Sequence, residues 1–495
     1  MKGFWSKRVS MPVLCTAGFA LALLGLPLAP AFAGDFEDGM QFILNKDYPK
    51  AVESFKKAAA QGNTDAQFNL GVLYSRGRGI KQDYEQAALW FRKAAEQGDV
   101  PAQSMLGFLY LKGQGVKQDY QQAMFWYLRA AEKGYAIAQH NLGVMYAKGQ
   151  GVAQDYKQAL SWYRKAAEQG HAPAQAILGF MYLKGQGVEE DDKQAAAWYL
   201  KAAEQGYPDA QYALGVLYAK GRGVIKSDEQ AVAWYRKAAE QGNADAQFNL
   251  GLMYASGSGV PADDQQASSW FLKAAERGSA KAQFKLGVIY AKGRGVQQND
   301  YDAVTWYRKA ADQGYAPAEF NLGTLYATGR GVVQDDREAI LWYSKAAEQG
   351  DPDAQYNLGV RYDTGRGVPK DEQQALSWYQ KAADQGYARA QYSLGVKYDN
   401  GLGVIQDHAQ ALSWYRKAAE QGNKGAQTNL GVLYYKGTGV KKDYVEADKW
   451  FSIASAAGYE DAKENRELME KLMTPVQVAE AHKLAEDWTK AHQKQ

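Results

Sequence analysis

A segment of 36 residues recurs along most of this chain, and this repeat restricts the fold more than any other feature. Each repeat contains a Leu-Gly pair, and a tryptophan follows the glycine of that pair by 19 residues. The glycines of the eleven pairs are Gly71, Gly107, Gly143, Gly179, Gly215, Gly251, Gly287, Gly323, Gly359, Gly395 and Gly431. A repeat of this length cannot bury its own apolar face, so neighbouring repeats must stack. A solenoid is therefore predicted, although 495 residues would by themselves suggest about three or four globular domains.

Each repeat is predicted to form two short amphipathic helices, which we call the A helix and the B helix. In the first full repeat, Ala66, Leu70 and Tyr74 share one face of the A helix. The glycine of the Leu-Gly pair lowers helix propensity there but lets a neighbouring helix approach closely. The B helix begins after Asp83, whose side chain can cap it. Its apolar stripe includes Trp90, so the periodic tryptophans are predicted to be buried in the stack.

The two ends of the array differ from its middle, as the ends of a solenoid must. Residues 34–63 lack the Gly-x-Gly pair of the other repeats and are predicted to form an N-terminal capping repeat. Eleven repeats of 36 residues occupy 64–459. Residues 460–495 abandon the pattern, and Pro475 begins a last amphipathic segment. We therefore expect C-terminal capping helices there.

The first 33 residues have the three-part layout of a cleaved secretory signal. Three basic residues precede an apolar stretch at 11–26, and a small-residue site ends at Ala33, after which we expect cleavage. Cleavage would remove Cys15, the single cysteine, so the mature chain could form neither disulfides nor thiolate metal sites. The expected location is the periplasm, with full secretion as the second choice. An uncleaved N-terminal anchor is the remaining alternative.

The charge balance argues against nucleic acid as a partner. The chain has 58 basic and 55 acidic residues, and three of the basic ones lie in the first 33 residues, which contain no acid. The rest therefore carries 55 of each and has no global basic field to attract nucleic acid or an anionic membrane. Beyond the signal, no segment approaches the ~20 apolar residues that a membrane helix needs, so no span is expected after processing.

No set of residues indicates catalysis or a cofactor. The periodic aspartates stand at helix starts, where capping explains them, and the Gly-x-Gly pairs lack the strand and third glycine of a dinucleotide site. The histidines share no metal-ligand spacing and are expected at the surface. One Ser-x-x-Lys string, Ser54 to Lys57, lacks the partner motifs that a penicillin-recognising serine enzyme needs. We therefore predict a protein without enzymatic activity, cofactor or metal.

The consensus resembles a known repeat family. It runs Ala-Gln-x-x-Leu-Gly-x-x-Tyr-x-x-Gly-x-Gly-Val-x-x-Asp-x-x-x-Ala-x-x-Trp-Tyr-x-Lys-Ala-Ala-Glu-Gln-Gly. This pattern is similar to the Sel-one-like repeat, a long-loop relative of the tetratricopeptide repeat, and residues 34–63 resemble the shorter tetratricopeptide form. The resemblance implies an all-α fold, a right-handed α/α superhelical solenoid of stacked helix–loop–helix repeats. It also implies an interaction scaffold, since bacterial members of the family serve as envelope adaptors.

By the tetratricopeptide resemblance, the A helices line a concave groove, and ligand contacts come from residues near the Leu-Gly pair. Two residues before the glycine, six repeats have asparagine: Asn69, Asn141, Asn249, Asn321, Asn357 and Asn429. Five residues after it stands a basic row: Arg76, Lys112, Lys148, Lys184, Lys220 and Lys292. An amide both donates and accepts, so an asparagine ladder suits an extended peptide. Alternatively, asparagine bonds a neighbouring helix, and lysine complements the helix macrodipole.

An aromatic row stands three residues before several of the glycines. It comprises Phe68, Tyr212, Phe248, Phe284, Phe320, Tyr356 and Tyr392. These rings either face the groove or belong to the core.

Together these observations predict a non-enzymatic envelope scaffold that binds one or more proteins or peptide segments through its groove. A periplasmic adaptor for peptidoglycan or another cell-wall polysaccharide is the alternative, because exposed tyrosine and tryptophan rings stack on sugars. The sequence does not choose between the concave and convex faces.

Overall fold

A computed structural model describes residues 34–492, in which every regular element is an α-helix. The predicted signal segment and its cleavage site after Ala33 lie outside the described residues. The chain divides into two compact units, an N-terminal unit ending at Gln205 and a C-terminal unit beginning at Gly206. In each unit consecutive helices pair as hairpins that stack on their neighbours in sequence. The predicted all-α solenoid is thus confirmed.

Most of these helices have thirteen residues and alternate between A and B helices. The N-terminal unit contains α1 Asp35–Leu44, α2 Tyr48–Ala60, α3 Thr64–Arg76, α4 Tyr84–Glu96, α5 Val100–Lys112, α6 Tyr120–Glu132, α7 Ala136–Lys148, α8 Tyr156–Glu168, α9 Ala172–Lys184 and α10 Asp192–Glu204. The C-terminal unit contains α11 Pro208–Lys220, α12 Asp228–Glu240, α13 Ala244–Ser256, α14 Asp264–Glu276, α15 Ala280–Lys292, α16 Asp300–Ala311, α17 Ala316–Thr328, α18 Asp336–Glu348, α19 Pro352–Thr364, α20 Glu372–Asp384, α21 Ala388–Asn400, α22 His408–Glu420, α23 Lys424–Lys436, α24 Tyr444–Ala456, α25 Glu460–Leu472 and α26 Pro475–His492. Among the described helices, none is both long and apolar enough to cross a membrane.

Local capping sets the ends of these helices, as the sequence predicts. The Asp83 carboxylate accepts a hydrogen bond from the Gln86 backbone N–H at 3.0 Å and so caps α4. Helix α3 ends at Gly77, which has a φ of 66° and occupies the left-handed position that favours glycine.

The glycine of each Leu-Gly pair lies where the A and B helices of one repeat touch. A Cβ atom added at Gly71 would lie 2.8 Å from the Phe91 ring, and one at Gly287 would lie 2.5 Å from the Tyr307 ring. The predicted close approach is therefore real, and the neighbour is the aromatic side chain of the repeat's own B helix.

A ladder of buried glutamine side chains links successive repeats and explains the Ala-Gln and Glu-Gln-Gly parts of the consensus. Gln67 is 4% exposed, and its Nε2 donates to the Ala59 carbonyl at 3.2 Å. Its Oε1 accepts from Gln97 Nε2 at 2.8 Å. The same bond between side chains joins Gln139 to Gln169, Gln175 to Gln205, Gln211 to Gln241, Gln283 to Gln313, Gln355 to Gln385 and Gln391 to Gln421.

The periodic tryptophans are less buried than the sequence predicts. Trp270 is half-buried, whereas the next residue, Phe271, is 2% exposed. The Lys273 ammonium lies 3.9 Å from the centre of the Trp270 ring and covers its outer side. The centre of the B-helix stripe is therefore the aromatic residue after the tryptophan. The prediction holds for Trp126, Trp342, Trp414 and Trp450, which are buried, and is wrong for the other periodic tryptophans.

Candidate protein-binding face of the A helices

The A helices have one side that the stack does not fill, and we call it the A face. In α3 it comprises Asp65, Asn69, Val72 and Arg76, which lie at helical spacing and are exposed or half-buried. Within each unit, the corresponding positions of the other repeats form the A face of that unit. Both the asparagine ladder and the basic row predicted from the sequence lie on it.

The asparagines are half-buried, and most use their amides within the protein. Nδ2 of Asn69 donates to the Asp65 carbonyl at 2.9 Å, one helical turn earlier. Asn321 and Asn357 make the same bond, each at 2.8 Å, to the carbonyls of Pro317 and Asp353. In all three cases the residue at the aromatic-row position of the preceding repeat is phenylalanine, which offers no hydrogen bond.

Where that preceding residue is tyrosine, the asparagine meets a phenol instead. Burial raises the pKa of Tyr212, and a hydrogen bond with Asn249 acts in the opposite direction. Burial likewise raises the pKa of Tyr392, with Asn429 as the hydrogen-bond partner. Asn141 makes no side-chain hydrogen bond with the described residues. The bonds of the ladder thus depend on the neighbouring repeat, which the consensus of one repeat does not reveal.

The basic row lies at the last residue of the A helices, beside the carbonyl end of each helix dipole. Lys112 and Lys184 in the N-terminal unit are exposed and form no ion pair with the described acids. The same holds for Lys220 and Lys292 in the C-terminal unit. Lys148 is also exposed, whereas Arg76 is half-buried. The ammonium groups of Lys112, Lys184, Lys220 and Lys292 are thus solvated at one edge of the A face.

The aromatic row packs into the stack. The rings of Phe68 and Phe91 lie 5.8 Å apart in a tilted arrangement, and the other members of the row make the same contact. In α5 the row position is the small residue Ser104, and the bulky ring stands four residues later, as Phe108. Phe108 and Met105 are 8% and 5% exposed and give α5 an apolar, closed A face. Comparing adjacent repeats would have revealed this exchange of ring and small residue.

The C-terminal unit has buried charges that sequence reasoning missed. Lys397 stands two residues after a Leu-Gly glycine, where most repeats have Leu, Met or Ile, and is 2% exposed. Its ammonium pairs with Asp363 at 2.7 Å, and the Tyr379 hydroxyl donates to the same carboxylate at 3.4 Å. Arg361 holds the corresponding position one repeat earlier and pairs with Asp336. The sequence feature that could have revealed these charges is a basic residue at a position that is apolar in most repeats.

Two histidines, His140 and His171, are half-buried and pack against each other between helices, which corrects their expected surface position. The rings of His140 and His171 lie 5.0 Å apart, at positions where another repeat packs Phe284 against Tyr315. Desolvation lowers the pKa of His140 to about 3 and that of His171 to about 4. Between residues 34 and 492 no group of three or more His, Cys, Asp or Glu residues could hold a metal ion.

Comparisons with known proteins give consistent results. The family model described as Sel1 repeat matches residues 36–63, 64–99, 100–135, 136–171, 172–207, 208–243, 244–279, 280–315, 316–351, 352–387, 388–423 and 425–459. The family model thus matches the shortened segment before residue 64 in addition to the eleven full repeats. A search of the curated proteins found no significant match.

Two solved structures share both the fold and the sequence pattern. One is c5321, described as a protective antigen of uropathogenic Escherichia coli with an SLR fold. It is 43% identical with a TM-score of 0.78, over 89% of this chain and 94% of that one. The other is a Sel1 repeat protein from Oxalobacter formigenes, 36% identical with a TM-score of 0.51, over 66% of this chain and 93% of that one.

Proposed function

Because the chain belongs to the Sel1 repeat family, whose solenoids are generally scaffolds for protein–protein interaction, we propose that it is a non-enzymatic scaffold of the bacterial envelope. It binds partner proteins through the A face. The observation that carries this proposal is a set of four exposed lysines of the basic row, on a face that the stack leaves open: Lys112, Lys184, Lys220 and Lys292.

The charges of the A face favour an acidic partner segment. In the N-terminal unit the face has four basic residues, from Arg76 to Lys184, and one acid, Asp65. Attraction to an acidic segment would speed its encounter with this face and orient it there. The asparagines add acceptor oxygens, since the bonds of Asn69, Asn321 and Asn357 to their own helices use only Nδ2.

The envelope location rests on the signal-like first 33 residues and on the likeness to a protective antigen of a bacterial pathogen. Periplasmic retention is the proposed state, with release from the cell as the alternative. A polysaccharide-binding role receives less support, because it needs free aromatic faces. Lysine ammonium groups lie 3.6 to 4.2 Å from the ring centres of nine periodic tryptophans, as Lys381 does for Trp378 and Lys201 for Trp198.

A charge-reversal experiment tests the proposal. The mature chain is used as bait in an envelope extract, alongside a variant carrying Lys112→Glu and Lys184→Glu. The matched control carries Lys81→Glu and Lys117→Glu, which reverse two exposed loop lysines outside the A face. We expect the wild type and the control to capture the same cross-linked partner, and the A-face variant to lose it.

Salt provides a second readout of the same experiment. Capture by the wild type should weaken between low and high ionic strength, because exposed charges are screened. Equal capture by both variants would reject the A face as the binding surface. Capture abolished by both would show a general charge effect instead.

A further inference from the structure

A carboxylate is buried at the C-terminal end of the array in a position that is otherwise mostly apolar. Asp448 lies in α24, 17 residues after the Leu-Gly glycine. Other repeats have Ala88, Met124, Leu160, Ala196, Val232, Ser268, Val304, Ile340, Leu376 and Leu412 at this position. Asp448 is 0% exposed, and neither of its carboxylate oxygens has a hydrogen-bond partner. Such a group is costly and calls for an explanation.

Three helices meet around this carboxylate. Nε2 of His482, on α26, lies 3.7 Å from Asp448 Oδ2 and 3.5 Å from Oε1 of Glu470, on α25. Nε of Arg466 lies 3.3 Å from the same Glu470 oxygen. The nearby Lys449 and Glu446 of α24 pair with each other at 3.3 Å. One half-exposed imidazole and one shared guanidinium thus face two carboxylates.

We propose that α26 is a pH-sensitive latch on the last hairpin, held more tightly in acid and released more readily as the pH rises, with Asp448 as the sensor. In acid the carboxyl group is neutral, and α26 covers it without burying a charge. At higher pH the docked helix seals an ionised carboxylate away from water, beside the acidic Glu470.

The direction follows from the ionisation of Asp448. Burial raises its pKa to about 6, above its ordinary value of 3.8. Once α26 lifts, water reaches the carboxylate and the pKa returns towards that ordinary value. Between pH 4 and pH 6, the Asp448 carboxylate is therefore protonated when α26 is docked and ionised when α26 is released. Docking should be about tenfold more favourable at pH 5 than at pH 8.

Helix α26 packs on an apolar surface and has a second anchor that is separate from Asp448. Ala481 and Ala485 of α26 are buried, and the ring of Trp488 lies 5.9 Å from that of Trp450. Trp488 Nε1 also donates to Glu420 Oε2 at 2.8 Å. His492 stacks on Trp488 at 4.0 Å and lies 3.5 Å from the same glutamate oxygen. This second anchor lies on α22 and α26 and does not involve Asp448.

The test follows hydrogen exchange of α26 in the full mature chain between pH 5 and pH 8, corrected for the intrinsic pH dependence of exchange. Helix α12, which lies in the same unit and makes no contact with α26, serves as the internal reference. Wild-type α26 should lose about tenfold of its protection at pH 8 relative to pH 5, while α12 changes little. Asp448→Leu, which installs the residue of two neighbouring repeats, should keep α26 protected throughout. Asp448→Asn removes the charge without adding volume and should also abolish the pH dependence.

Two results would overturn the proposal. One is equal protection of wild-type α26 at both pH values. The other is an unchanged pH dependence in both Asp448 variants, which would assign the effect to the His492 and Glu420 pair.

Discussion

The side-chain oxygen of Gln103 has no donor because Lys133 stands where most other repeats have the second glutamine of the ladder. Lys133 donates instead to the Gly98 carbonyl at 2.9 Å. The side-chain oxygens of Gln247 and Gln427 also lack a donor. The position of the second glutamine is occupied by Arg277 in the first case and by Ala457 in the second. The ladder is therefore incomplete at three places that the sequence alone identifies.

Restoring the missing hydrogen bond to Gln103 should stabilise the N-terminal unit. Lys133→Gln supplies the missing Nε2 donor to a buried acceptor, and we expect a gain of about 1 kcal/mol in the free energy of unfolding. Urea denaturation measures it. Lys133→Ala is the control, because it removes the lysine without supplying a donor. If both variants have the same stability, the unpaired side-chain oxygen of Gln103 does not lower the stability of the fold.

The aromatic residue after the tryptophan should matter more than the tryptophan itself. Phe271→Ala empties a buried site and should cost ~3–5 kcal/mol. Trp270→Ala should cost less, because its ring is half-buried under Lys273. Since contacts join only adjacent repeats, hydrogen exchange should show deprotection near α13 to α15. A larger cost for Trp270→Ala, or equal deprotection along the whole unit, would contradict this account.

The histidine pair should make the N-terminal unit sensitive to acid. Both imidazoles stay neutral in the fold, with pKa values of about 3 and 4, whereas in the unfolded chain they bind protons near pH 6.5. Stability should therefore fall as the pH drops from 6.5 towards 4. His140→Phe installs the aromatic residue of other repeats and should recover about 1–2 kcal/mol at pH 5 and little at pH 7.5. An equal effect at both pH values would exclude titration as the cause.

The ion pair of the buried Lys397 should be destabilising to break but nearly neutral to replace by apolar residues. Lys397→Ala removes the ammonium that pairs with Asp363, leaves this carboxylate with only the longer hydrogen bond from Tyr379, and should destabilise by roughly 3 kcal/mol. The double variant Lys397→Leu with Asp363→Ala restores the residues found at Leu325 and Ala327. It should be close to the wild type in stability. Denaturation of the single and double variants measures both values, and a double variant as unstable as the single would show that the pair itself stabilises the fold.

The sequence predicts those features that depend on one repeat alone. The cap at Asp83 and the close approach at Gly71 follow from local geometry, and both are confirmed. The burial of Phe271 rather than Trp270 depends on how the helices pack, because Phe271 meets Gly251 of its own A helix whereas Trp270 lies against the core of the preceding repeat. The apolar stripe of one helix does not distinguish the two residues.

The candidate site shows the same division. The rows of the A face are visible as periodic positions, but the bonds of the asparagines are not. Asn249 meets a phenol and Asn321 bonds its own helix because the preceding repeats have Tyr212 and Phe284, respectively. Binding of a partner by these residues stays a prediction.

The second glycine of the Gly-x-Gly loop contacts the start of the B helix in the preceding repeat. A Cβ atom added at Gly115 would lie 2.0 Å from the Tyr84 carbonyl oxygen, at the first residue of the preceding B helix. Gly187 approaches Tyr156 in the same way, so these B helices start under a loop that comes later in the sequence. The last hairpin has no such successor, and Tyr435 stacks on Tyr444 at 6.0 Å instead. A chain that emerges from a ribosome with its N-terminus first thus finishes such a hairpin only when the next one arrives. During synthesis of the array, the hairpin at the growing end is therefore incomplete.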